Sequence, residues 1–440
     1  MNHSSMWRLA GPMIVSNISI ALLGMVDTAV VGHLDEAYYL GGIAIGAVIF
    51  DFIYWGMGFL RMSTTGLTAQ VHGHASHQND NSACRTILAQ SLITASLIAM
   101  IILIFQQPMA NVALKLLEGS AEVTHYARIY FEWLIWGAPA VLSLLVMTGW
   151  FLGMQNAKAT LYVAVTVNLI NIILDFIFVF GLDMNVRGVA LASVISLYLG
   201  MFLAIWLVRK ELQRNKGAWI LSDILHIQRL KKILALNQDI FIRTICLIFV
   251  FAFFTRQGAK QGDIILAANA VLLNFQALMA LGLDGFANAA EALIGKAIGE
   301  KNKDAFIDNI KTLIFWSLIV AVAYALFYAL GGKLMINLLT DIPEIRTEAY
   351  RYLPWMILSP LIAVWCFMLD GVFIGATRAK EMRNSMLIST TLIFLPVWYL
   401  LQGYENHGLW SAFLIFFVAR GLTLTHASWK INRQEGFVQN

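Results

Sequence analysis

Two stretches of this 440-residue chain match each other: ARIYFEWLIWGAPAVLSLLVMTGWFLGMQNAK at 127–158 and AYRYLPWMILSPLIAVWCFMLDGVFIGATRAK at 349–380. Nine of the 32 aligned positions are identical: Ala127/Ala349, Tyr130/Tyr352, Trp133/Trp355, Ile135/Ile357, Gly149/Gly371, Phe151/Phe373, Gly153/Gly375, Ala157/Ala379 and Lys158/Lys380. Composition alone accounts for roughly three. Near the same offset, Ala44, Ala47, Val48, Phe52 and Asn79 recur as Ala267, Ala270, Val271, Phe275 and Asn302. The chain is an internal repeat.

Composition says what is repeated. Hydrophobic residues make up 59% and charged residues 13%, about half the charge a water-soluble domain carries. Such a chain cannot clothe a wet surface, which excludes a soluble enzyme, a coiled coil and a disordered chain. Continuous apolar stretches fall at about 7–32, 41–71, 83–106, 122–153, 158–181, 187–208, 234–255, 263–295, 305–331, 345–375, 381–401 and 408–428, each long enough for a membrane helix. Barrel strands alternate, and these runs do not. The fold expected is an all-α polytopic membrane protein of twelve transmembrane helices in two six-helix bundles, with parallel repeats related by an axis along the membrane normal. The N-lobe is 1–208, a cytoplasmic linker 209–233, and the C-lobe 234–440. The linker is expected to be a solvated connector with a short interfacial helix near Trp219–Ile227. Such repeats carry a substrate site that rocking exposes alternately to either side.

Lys and Arg set the orientation. With the N-terminus cytoplasmic, the inner segments hold 18 of them and the outer loops 6. Both termini are therefore expected inside, in the inner (cytoplasmic) membrane. The start lacks a signal-peptide cleavage site, so the first apolar run stays as a span. The net charge of +4 resides in loops and does not indicate nucleic acid.

Ionisable residues inside spans cost about 2.5–3.5 kcal/mol each on insertion scales, so each needs a reason. In the fifth span, VNLINIILDF carries Asn168, Asn171 and Asp175; the last two lie four apart on one helix face. Their counterparts in the second half are the apolar Ile393 and Val397. The first span carries Asp27, and the matching seventh span is apolar there. Two carboxylates without a repeat partner or a neighbouring cation make a candidate proton site, since two such groups in low dielectric share a proton. The same amides and carboxylates suit Na⁺ through oxygen ligands. Arg243 and Asp370 in the second half are expected to neutralise each other, as an architectural pair or as part of the transport site. Cys84, Cys246 and Cys366 lie too far apart for a metal framework, and His72, His74 and His77 lack an acid or thiolate beside them. No metal or cofactor is expected, and no catalytic or phosphate-binding motif occurs.

Twelve spans in two repeats, with MVDT in the first, resemble the multidrug and toxic compound extrusion (MATE) family across the whole chain. VDTAVVGHL at 26–34, NQDIFIRT at 237–244, LDGFANAAEALIG at 283–295 and LDGVFIGATRAKEMRNS at 369–385 resemble its DinF-type branch. The resemblance implies a proton site in the N-lobe at Asp27, Asn171 and Asp175. It also implies a cavity tyrosine at Tyr130, a sixth-span hydroxyl at Ser193 and a helix-bending proline at Pro12. The chain departs from the NorM-type branch, which shares Asp370 but has an acid near Arg243. The function implied is a multidrug exporter that antiports cationic amphiphiles against protons by alternating access, working as a monomer among membrane lipids. Na⁺-coupled drug antiport and a lipid-linked saccharide flippase are the alternatives. An enzyme is disfavoured.

Overall fold

The computed structural model describes residues 3–32, 37–75, 80–117, 119–434 and 436–438, with the side chains of 24–32 and 37 outside that description. All regular structure among them is helical, and eleven stretches are long and apolar enough to cross a membrane. They begin with α1 (His3–Gly32). Then come α2 (Tyr38–Ala75), α3 (Ser82–Ile104), α4 (Ala121–Gly153), α5 (Ala157–Gly181) and α6 (Asn185–Arg214). The second series is α7 (Ile227–Lys260), α8 (Asp263–Gly299), α9 (Lys303–Leu339) and α10 (Pro343–Gly375).

The last stretch, Ala379–Gln434, covers both of the final apolar runs, 381–401 and 408–428. Its first arm, α11, runs through Ala379–Leu387, a π turn Ile388–Phe394, and Leu395–Leu401. One 3-10 turn, Gln402–Tyr404, then leads into α12 (Glu405–Gln434). Glu405 takes a left-handed φ of 52°. A Cβ on Gly408 would sit 2.0 Å from the Leu401 carbonyl oxygen, so glycine permits the approach. The turn is too short to interrupt the helical run, which is why twelve spans appear as eleven stretches.

Packing resolves two units: Val15–Ile233, and Leu234–Asn440 together with Met1–Ile14. The division falls inside α1, two residues beyond Pro12. The first turns of α1 are held by the second unit's own helices. Trp7 meets Phe286 and Trp316 edge-on at 5.3 and 5.1 Å, and Trp316 Nε1 donates to His3 Nδ1 at 3.0 Å.

The repeat shows in the contacts that each half makes internally. In one unit α4 crosses α2; in the other α10 crosses α8. A Cβ on Gly149 would stand 2.4 Å from the Arg61 carbonyl oxygen, and one on Gly371 2.5 Å from that of Ala287. Gly153 and Gly375 repeat this one turn later against Thr65 and Glu291. Phe151 and Phe373, between the glycines, are both fully buried. The turns that follow match as well: Gln155 and Thr377 are left-handed at 63° and 54°. Asn156 N–H donates to Phe151 O and Arg378 N–H to Phe373 O, at 2.8 and 2.9 Å. The Gly-x-Phe-x-Gly identities are therefore close helix crossings closed by the same turn.

The linker is largely exposed, as expected, but it is also tied to α3. Asn81 N–H donates to Lys216 O at 2.8 Å, and Arg85 donates to Leu212 O and Asn215 O at 2.8 and 3.1 Å. The buried amide of Gln90 donates to Asp223 O and Ile224 O at 3.0 and 3.1 Å. Those carbonyls belong to a short helix, Leu221–Ile224. A connector with its backbone groups satisfied this way is part of the fold.

Candidate functional site

α5 carries the predicted amide and acid side chains inward. Asn168 is 6% exposed, Asn171 2% and Asp175 0%. At spacings of three and four residues they form one stripe. Apolar Leu169, Ile173 and Phe176 lie on the exposed side. The α-helical part ends at Asp175, and a wider π turn, Phe176–Gly181, follows. Such turns often accompany functional positions.

Two hydrogen bonds attach this stripe to its neighbours. Asn171 Nδ2 donates to Ser193 Oγ on α6 at 3.3 Å, and the Ser193 carbonyl in turn accepts from Ser196 Oγ at 2.8 Å. Asn168 Nδ2 donates to Ser19 Oγ on α1 at 2.7 Å. Ser19 was not among the predicted residues, because a lone serine in an apolar span carries no signal until its partner is known.

The Ser19–Asn168 bond fixes the register of α1 against α5. Odd-numbered spans run in the same direction in this topology. Asp27 is eight residues beyond Ser19 and Asp175 seven beyond Asn168, or roughly 12 and 10.5 Å of rise. The two backbone positions therefore reach one depth. The side chain of Asp27 lies outside the described residues.

Tyr130 on α4 is 7% exposed. Gly46 on α2 makes room for its ring, since a Cβ there would lie 2.3 Å from Tyr130 Cδ1. Phe50 meets it edge-on at 6.4 Å. Pro12 sits inside α1, with its side chain half-buried.

The other predicted pair is present with a third member. Arg243 Nη2 donates to Asp370 Oδ2, and so does Arg420 Nη2 at 2.7 Å. Arg243, Asp370 and Arg420 are 8%, 7% and 3% exposed. The Arg420 guanidinium also lies over Phe416 and Phe417, at 5.5 and 5.7 Å from their centroids. Arg420 lies inside the twelfth apolar run, 408–428, and the sequence reading did not single it out. No group of metal-ligating side chains occurs among the described residues.

The MatE family model matches residues 12–177 and 240–400, one segment in each repeat. The chain is 42% identical to DNA damage-inducible protein F of Escherichia coli, over 99% of this chain and 94% of the relative. It is 24% identical to the multidrug resistance protein MdtK of Proteus mirabilis, over 98% and 96% of the two chains. Among solved structures, the MATE transporter VcmN of Vibrio cholerae superposes with a TM-score of 0.88 at 18% identity, covering 99% of this chain and 98% of that one. An outward-facing multidrug resistance MATE transporter superposes with a TM-score of 0.87 at 19% identity, over 98% and 96%. With family segments in both repeats and a full-length relative at this identity, the chain is a multi-pass membrane protein of the MATE family of transporters.

Proposed function

We propose that this protein is a secondary active multidrug exporter that exchanges cationic amphiphiles for protons. Its termini lie in the cytoplasm, its membrane is the inner one, and 1–208 and 234–440 act as lobes joined by the linker 209–233. The observation that carries the coupling reading is the Ser19–Asn168 register, which brings two intramembrane carboxylate positions to one depth. Asp27 and Asp175 share one exchangeable proton, with Asn171 and Ser193 as hydrogen-bonding neighbours. Ionised, the pair attracts a cationic drug; protonated, it loses that attraction and the drug leaves. Tyr130 and Asn168 line the drug's path with one aromatic face and one amide. Apolar walls with few polar groups select bulk and charge rather than shape. Oxygen ligands at the same stripe give Na⁺ coupling as the second reading.

Proteoliposomes loaded with a fluorescent organic cation separate these readings. Under an imposed pH gradient without Na⁺, efflux is expected, and Asp175→Asn is expected to reduce it by at least tenfold while the protein remains folded. Efflux driven only by a Na⁺ gradient selects the second reading. Transport confined to anionic lipid precursors rejects both.

A further inference from the structure

The unit Val15–Ile233 has a cavity of about 380 Å³ whose lining includes none of the residues of the stripe on α5. Its walls include Tyr39 from the start of α2, His125 and Tyr126 from α4, and Asp183, Met184 and Arg187 around the α5–α6 turn. These segments lie at the ends of their helices opposite the linker, outward in the orientation proposed above.

The rings form a fixed cluster. Tyr38 stacks on Tyr126 at 5.2 Å and 15°, and Tyr39 meets Tyr126 edge-on at 4.7 Å. His125 closes on Tyr126 at 5.2 Å. Tyrosines in a membrane interface belt spread around the lipid-facing rim; here Tyr39 and Tyr126 line one cavity that also holds both charge signs, with Tyr38 stacked on Tyr126. In the turn opposite them, Asp183 and Asn185 take left-handed φ values of 51° and 48°, a conformation that Asp and Asn adopt more readily than other non-glycine residues. The Met184 N–H bond to Phe178 O, 2.9 Å, holds the turn.

We propose that this cavity binds an ammonium–phosphate zwitterion. The tyrosine rings and Asp183 receive the ammonium, through ring quadrupole and charge, and Arg187 receives the phosphate as a planar donor fork. A cation alone leaves Arg187 unanswered, and an anion alone leaves Asp183 and the rings unanswered. The shared chemistry belongs equally to a phospholipid headgroup and to a soluble phosphorylated amine.

The test is calorimetric titration of phosphocholine, choline and inorganic phosphate into the full-length protein in maltoside micelles. Phosphocholine is expected to bind at least tenfold more tightly than either fragment. Tyr126→Ala should weaken it about tenfold and Tyr126→Phe about twofold, because phenylalanine keeps the ring face. Arg187→Gln should reduce phosphocholine to the affinity of choline and leave choline unchanged. Asp175→Asn should change none of these, so failure of the coupling reading leaves this result intact. Repeating the titration in nanodiscs separates the sources. Loss of the soluble site with zwitterionic lipid but not with purely anionic lipid means a headgroup occupies it; retention in both means a soluble ligand. The proposal is overturned if phosphocholine binds no better than choline, or if Tyr126→Ala and Arg187→Gln bind it like the unsubstituted protein.

Discussion

Glycine and arginine act in opposite ways in this fold, one by what it omits and the other by the charge it cannot lose. At Gly149 and Gly371 a methyl group would press on a carbonyl oxygen of the neighbouring helix at 2.4 and 2.5 Å. Backbone cannot swing aside as a flexible side chain can, so the helices must separate. Gly371→Ala and Gly149→Ala should each lower stability by about 1–3 kcal/mol. Gly181→Ala, with nothing within 4 Å of the added Cβ, should be neutral; thermal unfolding of the three purified variants checks this. The arginines set a different asymmetry. With Arg243 and Arg420 both on Asp370, removing the carboxylate strands two guanidiniums that cannot deprotonate. Removing Arg243 leaves a neutral pair. Asp370→Asn should therefore cost roughly 3–5 kcal/mol, and Arg243→Gln clearly less. A simple pair would lose equally from either side, so equal losses would restore the two-member reading made from sequence.

Among the elements, the linker's attachment to α3 gives a site outside the membrane where pH acts legibly. Asp80 precedes α3, and its Oδ1 accepts from Ser82 Oγ at 2.5 Å and Ser82 N–H at 3.0 Å. The Ser82 hydroxyl bond, then the backbone bond, hold the Asp80 carboxyl below its ordinary 3.8. Ser82 Oγ in turn accepts from Ala218 N–H at 2.7 Å, carrying the effect into the linker. A carboxyl whose folded value is depressed contributes stability above its ordinary value and loses it as pH falls through the folded one. Exchange protection of the Ala218 N–H, corrected for intrinsic rate, should hold steady from pH 7 to 5 and fall only in acid below 3.8. Asp80→Ala should reduce it about fivefold even at neutral pH. None of this attachment was visible in sequence, since a basic, polar stretch reads the same whether it is tethered or free. The helices themselves were visible, because uninterrupted apolar runs leave the backbone no other way to satisfy its hydrogen bonds in lipid. The 3-10 turn at Gln402–Tyr404 shows the converse: the apolar pattern separated two spans that the helical backbone nearly joins.

For the whole molecule, repeat and hydropathy specified the twelve-span plan, and asymmetry between the repeats singled out Asn171 and Asp175. What they could not supply was lateral neighbourhood: Ser19 beside Asn168, Arg420 beside Asp370, and the first turns of α1 packed with the second half of the chain. That last feature bears on coupling. Pro12 stands where α1 passes from one packing unit to the other, and proline both removes a helix hydrogen bond and crowds the preceding turn. Asp27 lies 15 residues further on, roughly 22 Å along the helix. On the proposed coupling, a proton shared with Asp175 would turn Asp27 from an acceptor into a donor. On the same proposal the helix bends at Pro12, since Trp7 in the turn before it packs on Phe286 and Trp316. Two measurements follow from this. Asp27→Asn should abolish proton-driven export while the protein still inserts and folds, and Pro12→Ala should slow turnover at least severalfold with drug affinity nearly unchanged. If Pro12→Ala weakens drug binding and turnover alike, the proline shapes the site and does not serve as the hinge. If Asp27→Asn exports normally under a pH gradient, the proton acts elsewhere, and Asp370 is the next residue to neutralise.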